Sequence, residues 1–324
     1  MRPLASIAGL PRHEAVAVII NCGTRWVSSL ALLSLLRHGG LPVLVVDCES
    51  RDGSRVHFAA LAARHGLCFD WLDWPLRTHP ETLDRLFAAI DADEVLLVDS
   101  DLELLDAGLV PAMRAALAGD AQAYGAGFLH GPGWMGPEHG LPAHTGWYAQ
   151  RMWIPFVLLR ARAVREALHA AQGFGTLRRF DATAWLARLV AAATGSSPPA
   201  SLARFRVPGF PAAAPGGGER RPAVVEHDTG ALLHEHLLAH GWRFAALPQS
   251  RWSDVRHFHG VTRAARGSRV RRALARLGVA RATGEPRHAP ALREALERLR
   301  EGYGVDRQAL DDAIAAPSPS RSRP

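Results

Sequence analysis

The sequence predicts an α/β fold, a mostly parallel sheet flanked by helices. Three observations carry that reading. Apolar runs closed by polar turns alternate with stretches of helical periodicity from residue 15 to Asp101. The runs are continuous rather than alternating, the pattern of strands covered on both faces. Hydrophobic residues make up 48% of the 324 residues, enough for a sizeable core.

The elements follow in order. Residues 15–20 form the first apolar run, ended by Asn21-Cys22-Gly23. Residues 26–37 carry apolar side chains at helical spacing, and Gly39-Gly40 closes that helix. Residues 41–46 read as the second strand. It ends in a dense polar turn, Asp47 to Ser54, whose last serine is a candidate cap for a helix over 55–65. A short strand over 68–72 and a helix over 81–90 precede Val95-Leu96-Leu97-Val98, a strand that runs directly into Asp99-Ser100-Asp101. Beyond it the pattern predicts a helix over 111–118, a strand over 122–128 and a long loop over 129–145, rich in Gly, Pro and His. A strand over 153–159 and helices over 161–171 and 180–193 follow. Residues 196–222, built around Gly216-Gly217-Gly218, read as a flexible insert, a lid or acceptor loop. A helix over 228–240, stopped by Gly241, leads to a strand over 244–247. The expected organisation is one domain over 1–264, an Arg-rich helical extension over 265–315 and a disordered tail over 316–324.

The formal net charge is +7, and every basic residue is arginine. Guanidinium groups pair bidentately with phosphates. No nucleic-acid partner is expected, because zinc-ligand spacing, a helix-turn-helix signature and an aromatic RNA-binding motif are all missing from the sequence. Anionic headgroups also suit this charge, so the Arg-rich C-terminus is a candidate for peripheral membrane contact. Three unpatterned cysteines, Cys22, Cys48 and Cys68, point to a reducing compartment. Residues 1–13 lack the apolar core of a signal peptide, and no run approaches the ~20 apolar residues of a membrane span. The expected location is cytoplasmic, with contact at the inner face of a membrane as the sharper alternative.

In a parallel sheet the carboxyl ends of the strands share one edge, where ligands bind. Asp47, Asp99 and Asp101 belong to that edge. Two carboxylates one residue apart are hard ligands for a divalent cation. Such a cation bridges phosphate oxygens and neutralises charge on a leaving diphosphate. Asp47 is placed to accept hydrogen bonds from a uracil or ribose. The plainer alternatives are an acidic, solvated turn and a polar, capped turn, since D-x-D is short and common. Trp134, Trp147, Tyr148 and Trp153 suit stacking on an acceptor sugar, and equally suit core packing.

Val45-Val46-Asp47-Cys48-Glu49-Ser50-Arg51-Asp52-Gly53-Ser54 resembles the V-D-x-x-S-x-D-G-S turn of glycosyltransferase family 2. The stretch from Ile90 to Asp101 resembles the D-x-D strand of that family with its lead-in. The resemblance implies a GT-A fold of Rossmann type, a nucleotide-sugar donor and Mn²⁺ or Mg²⁺. Glu226-His227-Asp228-Thr229-Gly230 resembles the acidic segment that supplies the general base in inverting members, which implies Asp228 first and Glu226 second for that role. The alternative for Asp228 is a helix N-cap. His257-Phe258-His259-Gly260-Val261-Thr262-Arg263 is similar to the H-x-x-G-x-x-K segment of glycosyltransferase family 8, with arginine in place of the lysine and without the Pro-Trp that follows there. It implies His257, rather than His259, as a third metal ligand and Arg263 as a diphosphate contact. Family 2 inverts the anomeric centre and family 8 retains it. The N-terminal resemblance is the longer, and it favours inversion.

The expected function is therefore a metal-dependent glycosyltransferase. Asp99, Asp101 and His257 would hold the metal; Asn21, Asp47, Asp99 and Arg263 would hold the donor; Asp228 or Glu226 would act as base. The donor would be a nucleotide sugar, with UDP-sugars favoured, and the acceptor a glycan, lipid-linked or small molecule. Two alternatives remain. Gly23-Thr24-Arg25 resembles part of the G-x-G-T-R loop of sugar nucleotidyltransferases, although Asn21 replaces its first glycine and the chain has no lysine for the downstream Pro-Lys. A non-catalytic, basic protein that binds nucleic acid or membrane is the other.

Overall fold

The computed structural model describes residues 1–130, 147–148, 151–180, 224–258, 261 and 289–315. The expected sheet is present. It is built from β1 (Arg2–Leu4), β2 (His13–Asn21), β3 (Val43–Cys48), β4 (Asp70–Trp74), β5 (Ala92–Val98), β7 (Ala123–His130), β9 (Arg151–Arg160) and β12 (Arg243–Ala246). Their order is β1-β4-β3-β2-β5-β9-β7-β12. Strand order turns at β2, with β3, β4 and β1 to one side and β5 to the other. Open α/β sheets bind ligands beyond the carboxyl ends of strands at such a turn. Two small sheets complete the strands. One joins β10 (Leu177–Phe180), β11 (Val224–His227) and β8 (Trp147–Tyr148); the other pairs β6 (Leu102–Leu104) with β13 (Val255–His257).

The helices are α1 (Arg25–His38), α2 (Ser54–His65), α3 (His79–Ala89), α4 (Leu109–Gly119), α5 (Ala161–His169), α6 (Ala231–Ala239), α7 (Ala289–Tyr303) and α8 (Arg307–Ala315). The chain forms two compact units. The first takes in residues 1–76, 96–110 and the described residues from 253 onward. The second takes in residues 77–95 and the described residues between 111 and 252.

In the first unit, β1, β4, β3 and β2 are parallel throughout, and the register sets Asn21 beside Asp47 and Asp47 beside Asp73. Val16 to Ile19 and Val43 to Val46 are buried on both faces, which is why they read as unbroken apolar runs. Phe58 of α2 packs on Trp71 of β4 with ring centroids 5.2 Å apart. Helix α7 packs against α1, and α8 against α2. In the second unit β7 runs antiparallel to β9 and parallel to β12. Helix α5 packs against α3 and α6.

Several local expectations change. The cap of α2 is Gly53, in the left-handed conformation at φ 78°, and not Ser54. Ser54 begins the helix, and its amide donates to Asp52 Oδ1 at 3.1 Å. Asp228 does not cap α6 either. The cap is Gly230 at φ 82°, a backbone conformation that favours glycine, so the helix starts at Ala231. Phe180 ends strand β10 instead of opening a helix. Residues 181–193, 131–145 and the insert 196–222 lie outside the described residues. So do 265–288 and the tail 316–324. Strands β8, β10 and β11 were not expected, and β1, β6 and β13 carried no sequence signal. Each of the last three spans three residues, too few for periodicity to show, and each exists because a partner strand pairs with it. Among the described residues no helix is long and apolar enough to cross a membrane.

Each unit buries a histidine. His57 is fully buried, with Nε2 2.8 Å from Ser29 Oγ. Burial, reinforced by Arg25 and opposed by Asp52, pushes its pKa down to about 4. His234 is 2% exposed, with Nδ1 2.5 Å from Tyr124 Oη. Burial and Arg151, against Glu235, lower it to about 4 as well. Both rings are therefore neutral in the folded chain, whereas the unfolded chain protonates them near pH 6.5. Below that pH the unfolded state binds more protons, and stability falls until the folded pKa is reached. Urea unfolding at pH 5 is expected to show about 2 kcal/mol less stability per histidine than at pH 8. Equal midpoints at the two pH values would contradict this.

Candidate metal and donor site

Strand β5 delivers Asp99 and Asp101 in the turn that follows Val98. The chain then enters β6, which pairs antiparallel with β13. His257 lies opposite Leu102, Arg256 opposite Glu103 and Val255 opposite Leu104. The Phe258 amide donates to the Asp101 carbonyl at 2.9 Å, and the Leu105 amide to the Asp254 carbonyl at 2.8 Å. This ribbon carries His257 to the acidic turn. Phe258 and Val261 are buried.

One ligand atom from each of Asp99, Asp101 and His257 lies within 4.8 Å of the other two. His257 Nε2 is 3.2 Å from Asp101 Oδ1. Asp101 is 4% exposed, so its carboxylate is fixed by its surroundings. Burial disfavours the His257 imidazolium, but the Asp101 hydrogen bond and the charges of Asp101 and Asp99 outweigh burial and raise the pKa. Two carboxylates and an imidazole converging on one point are a donor set for a divalent cation such as Mn²⁺, which accepts both oxygen and nitrogen. His259, the alternative ligand, and Arg263 lie outside the described residues.

Asn21 and Asp47, also in the first unit, form a polar bracket between the β2–α1 and β3–α2 turns. The Asn21 amide donates to Asp47 Oδ1 at 2.5 Å, to Ser54 Oγ at 3.0 Å and to Ser50 Oγ at 3.1 Å. Its carbonyl accepts from Thr24 Oγ1 at 3.0 Å and Ser28 Oγ at 2.7 Å. Asn21 is fully buried and its groups are engaged inside the protein. Asp47 Oδ2 accepts from the Ser50 amide at 3.1 Å. Burial raises the Asp47 pKa against those hydrogen bonds and with the help of Asp73. The Gly23 amide donates to Ser50 Oγ at 2.7 Å and the Arg25 amide to Asp52 at 3.1 Å. The β2–α1 loop therefore spends those two amides on the neighbouring β3–α2 turn rather than offering them to a phosphate.

Asp228 and Glu226 belong to the second unit. Glu226 sits in β11, in register with Tyr148 and Arg178. Asp228 Oδ2 accepts from Arg151 Nη2 at 2.7 Å, and its Oδ1 from the Thr229 amide at 2.7 Å. Burial alone would raise the Asp228 pKa; Arg151, with help from the Thr229 amide and His130, lowers it on balance. Sequence patterns did not pick out Arg151, which reads as one arginine among many. Trp153 is a packing residue. It is 3% exposed, with its ring 4.4 Å from that of Trp252 and 6.1 Å from that of Phe128. Trp134 lies outside the described residues, and Trp147 and Tyr148 are described only as backbone of β8.

No protein-family model matches the chain. No curated protein matches it either. Among solved structures, S. aureus TarS 1-349 in complex with UDP-GlcNAc is similar at 15% identity and a TM-score of 0.35, over 50% of this chain and 48% of that one. The mannosyltransferase PcManGT from Pyrobaculum calidifontis, in complex with GDP-Man and Mn²⁺, aligns over 94% of this chain and 79% of that one, at 13% identity and a TM-score of 0.43. Glucosyl-3-phosphoglycerate synthase from Mycobacterium tuberculosis, in complex with Mn²⁺, UDP and glucosyl-3-phosphoglycerate, aligns over 51% and 64% at 16% identity and a TM-score of 0.32. The chain spans about half the length of the TarS structures that it matches.

Asp101→Ala is expected to abolish Mn²⁺ binding measured by calorimetry while the circular dichroism spectrum is preserved. His257→Ala should weaken it by at least ~10-fold. Wild-type Mn²⁺ affinity in a folded Asp101→Ala chain would remove these residues from any metal site.

Proposed function

We propose that the chain is a metal-dependent glycosyltransferase of GT-A type. It would move a sugar from a nucleotide-sugar donor, with UDP-sugars favoured, to a glycan, lipid-linked or small-molecule acceptor, with inversion. The observation that supports this most directly is the convergence of Asp99, Asp101 and His257 just beyond the end of β5, next to the strand at which sheet order turns. When bound there, Mn²⁺ or Mg²⁺ supplies positive charge against the leaving diphosphate. The mixed oxygen and nitrogen donor set favours Mn²⁺ of the two.

The chain's own groups would then divide the work. Asp47 keeps a second lone pair on each carboxylate oxygen after its bonds to Asn21 and Ser50, so it still accepts from a nucleobase N–H or a ribose hydroxyl. Asn21 acts behind it, holding that carboxylate in place. Arg263 would pair with the diphosphate as a permanently charged donor. Asp228 would take the proton of the acceptor hydroxyl as the anomeric carbon is attacked, with Glu226 the second candidate. Arg151 keeps Asp228 ionised, the form a base requires, at some loss of basicity. The engaged amides of Gly23 and Arg25 disfavour the nucleotidyltransferase alternative. A cytoplasmic enzyme with peripheral membrane contact through its arginines fits a lipid-linked acceptor.

Calorimetry with UDP and with GDP is expected to show binding that requires Mn²⁺ or Mg²⁺, and a panel of nucleotide sugars should reveal slow, metal-dependent hydrolysis of one donor. No metal-dependent nucleotide binding would sink the proposal. Asp228→Asn should lower transfer by about 10²- to 10⁴-fold and leave metal-dependent nucleotide binding intact. Undiminished turnover in that variant would exclude Asp228 as the base.

A further inference from the structure

Glu103 is fully buried, two residues beyond Asp101 in strand β6. An ionised carboxylate taken out of water is unfavourable unless it is paired and hydrogen-bonded. Helix α7 supplies both. Arg298 donates to Glu103 through Nη2 at 2.7 Å and Nε at 3.1 Å, and Tyr303 Oη donates at 3.2 Å. The Tyr303 ring in turn carries the Arg37 guanidinium of α1 at 4.2 Å from its centre. Directly opposite Glu103 in the ribbon is Arg256, the neighbour of His257. Arg256 Nη1 donates to Glu294 of the same helix at 3.1 Å. Residues opposite one another across two strands face the same side. Helix α7 therefore grips both strands of the ribbon on one side, two residues from Asp101 and one from His257.

That grip matters because the ribbon cannot hold itself. Two strands of three residues are far short of an independently stable sheet. Their spacing decides whether the Asp101 oxygen and the His257 nitrogen meet at one point. The Arg256–Glu294 pair is half-exposed and contributes little. Arg298 is partly exposed, but its bidentate bond meets the buried carboxylate of Glu103, and this pair carries the support.

We propose that Glu103, Arg298 and Tyr303 are positioning residues for the cation site, so that docking of α7 and affinity for the cation are coupled. None of the three offers a ligand atom. They fix the β6–β13 ribbon, and the ribbon fixes Asp101 and His257. By thermodynamic linkage the coupling runs both ways: a bound cation tightens the docking of α7. The inference rests on the proposed cation site and adds its outer support.

The test uses the full chain and Mn²⁺ alone, with free Mn²⁺ followed by electron paramagnetic resonance. Arg298→Ala is expected to weaken Mn²⁺ binding by about 10- to 100-fold, the range for residues that orient metal ligands. Arg298→Lys keeps the charge and loses the bidentate geometry, so its loss should be smaller. Tyr303→Phe, which keeps the ring under Arg37, should weaken binding by ~3-fold and serves if Arg298→Ala does not fold. Arg300→Ala, on the same helix but paired among the described residues with exposed Glu301, should leave the affinity unchanged. Hydrogen exchange gives a readout that general destabilisation would not move: Mn²⁺ should slow exchange across α7 in the wild-type chain, less in Arg298→Lys and not in Arg298→Ala. Binding that depends on Asp101 but is unchanged in Arg298→Ala, Arg298→Lys and Tyr303→Phe overturns this inference alone. Absence of Mn²⁺ binding in the wild-type chain, or binding that survives Asp101→Ala, overturns the cation site and this inference with it.

Discussion

Backbone pairing between β6 and β13 sets His257 opposite Leu102 and ties the Phe258 amide to the Asp101 carbonyl. What the first unit can do with a cation follows from that pairing. Without it, Asp99 and Asp101 are two carboxylates in a turn, a weak and hydrated site. With it, a nitrogen ligand arrives from 156 residues away in the chain and converges on the same point. The ribbon is short; β5 leads into it on one side, and on the other Arg298 of α7 holds its buried Glu103.

The bracket around Asn21 answers a related problem. Two strand ends and two helix starts meet there, each with backbone and side-chain groups that need partners once water is removed. One amide side chain joins Asp47, Ser50, Ser54, Thr24 and Ser28. Such a network loses more than one contact if any member is removed, because the remaining groups stay buried and unsatisfied. It holds Asp47 at the carboxyl edge of the sheet. In the second unit, Arg151 and the Thr229 amide do the same for Asp228. The carboxylates proposed to meet substrate are each set by partners that are not themselves proposed to react.

The parts that were legible in the sequence are those whose cause is local. Residues 15–20 and 41–46 are apolar without interruption because both faces of β2 and β3 are covered, and that condition is written into every residue of the run. Val95 to Val98 followed by Asp99 and Asp101 was legible for the same reason: an apolar strand must stop where charge begins. Gly53 and Gly230 show the limit of local reading. A helix start was expected at each place, but Ser54 and Asp228, the better capping side chains by composition, were passed over for glycines whose left-handed backbone turns the chain.

The chain by itself thus determined a parallel α/β sheet and an acidic turn at its carboxyl edge, since burial pattern and turn chemistry act over a few neighbouring residues. The H-x-x-G resemblance already implied His257 as a third ligand; the β6–β13 pairing is what brings it to that turn, and only the tertiary structure decided that Asn21 serves Asp47 from behind. It also decided that Glu103, which reads as the polar member of a Leu-Glu-Leu alternation, is buried against an arginine 195 residues later. These depend on strands of three residues and on ion pairs between distant segments. Their free energy comes from desolvation and pairing across the fold, and no local pattern of side chains records it.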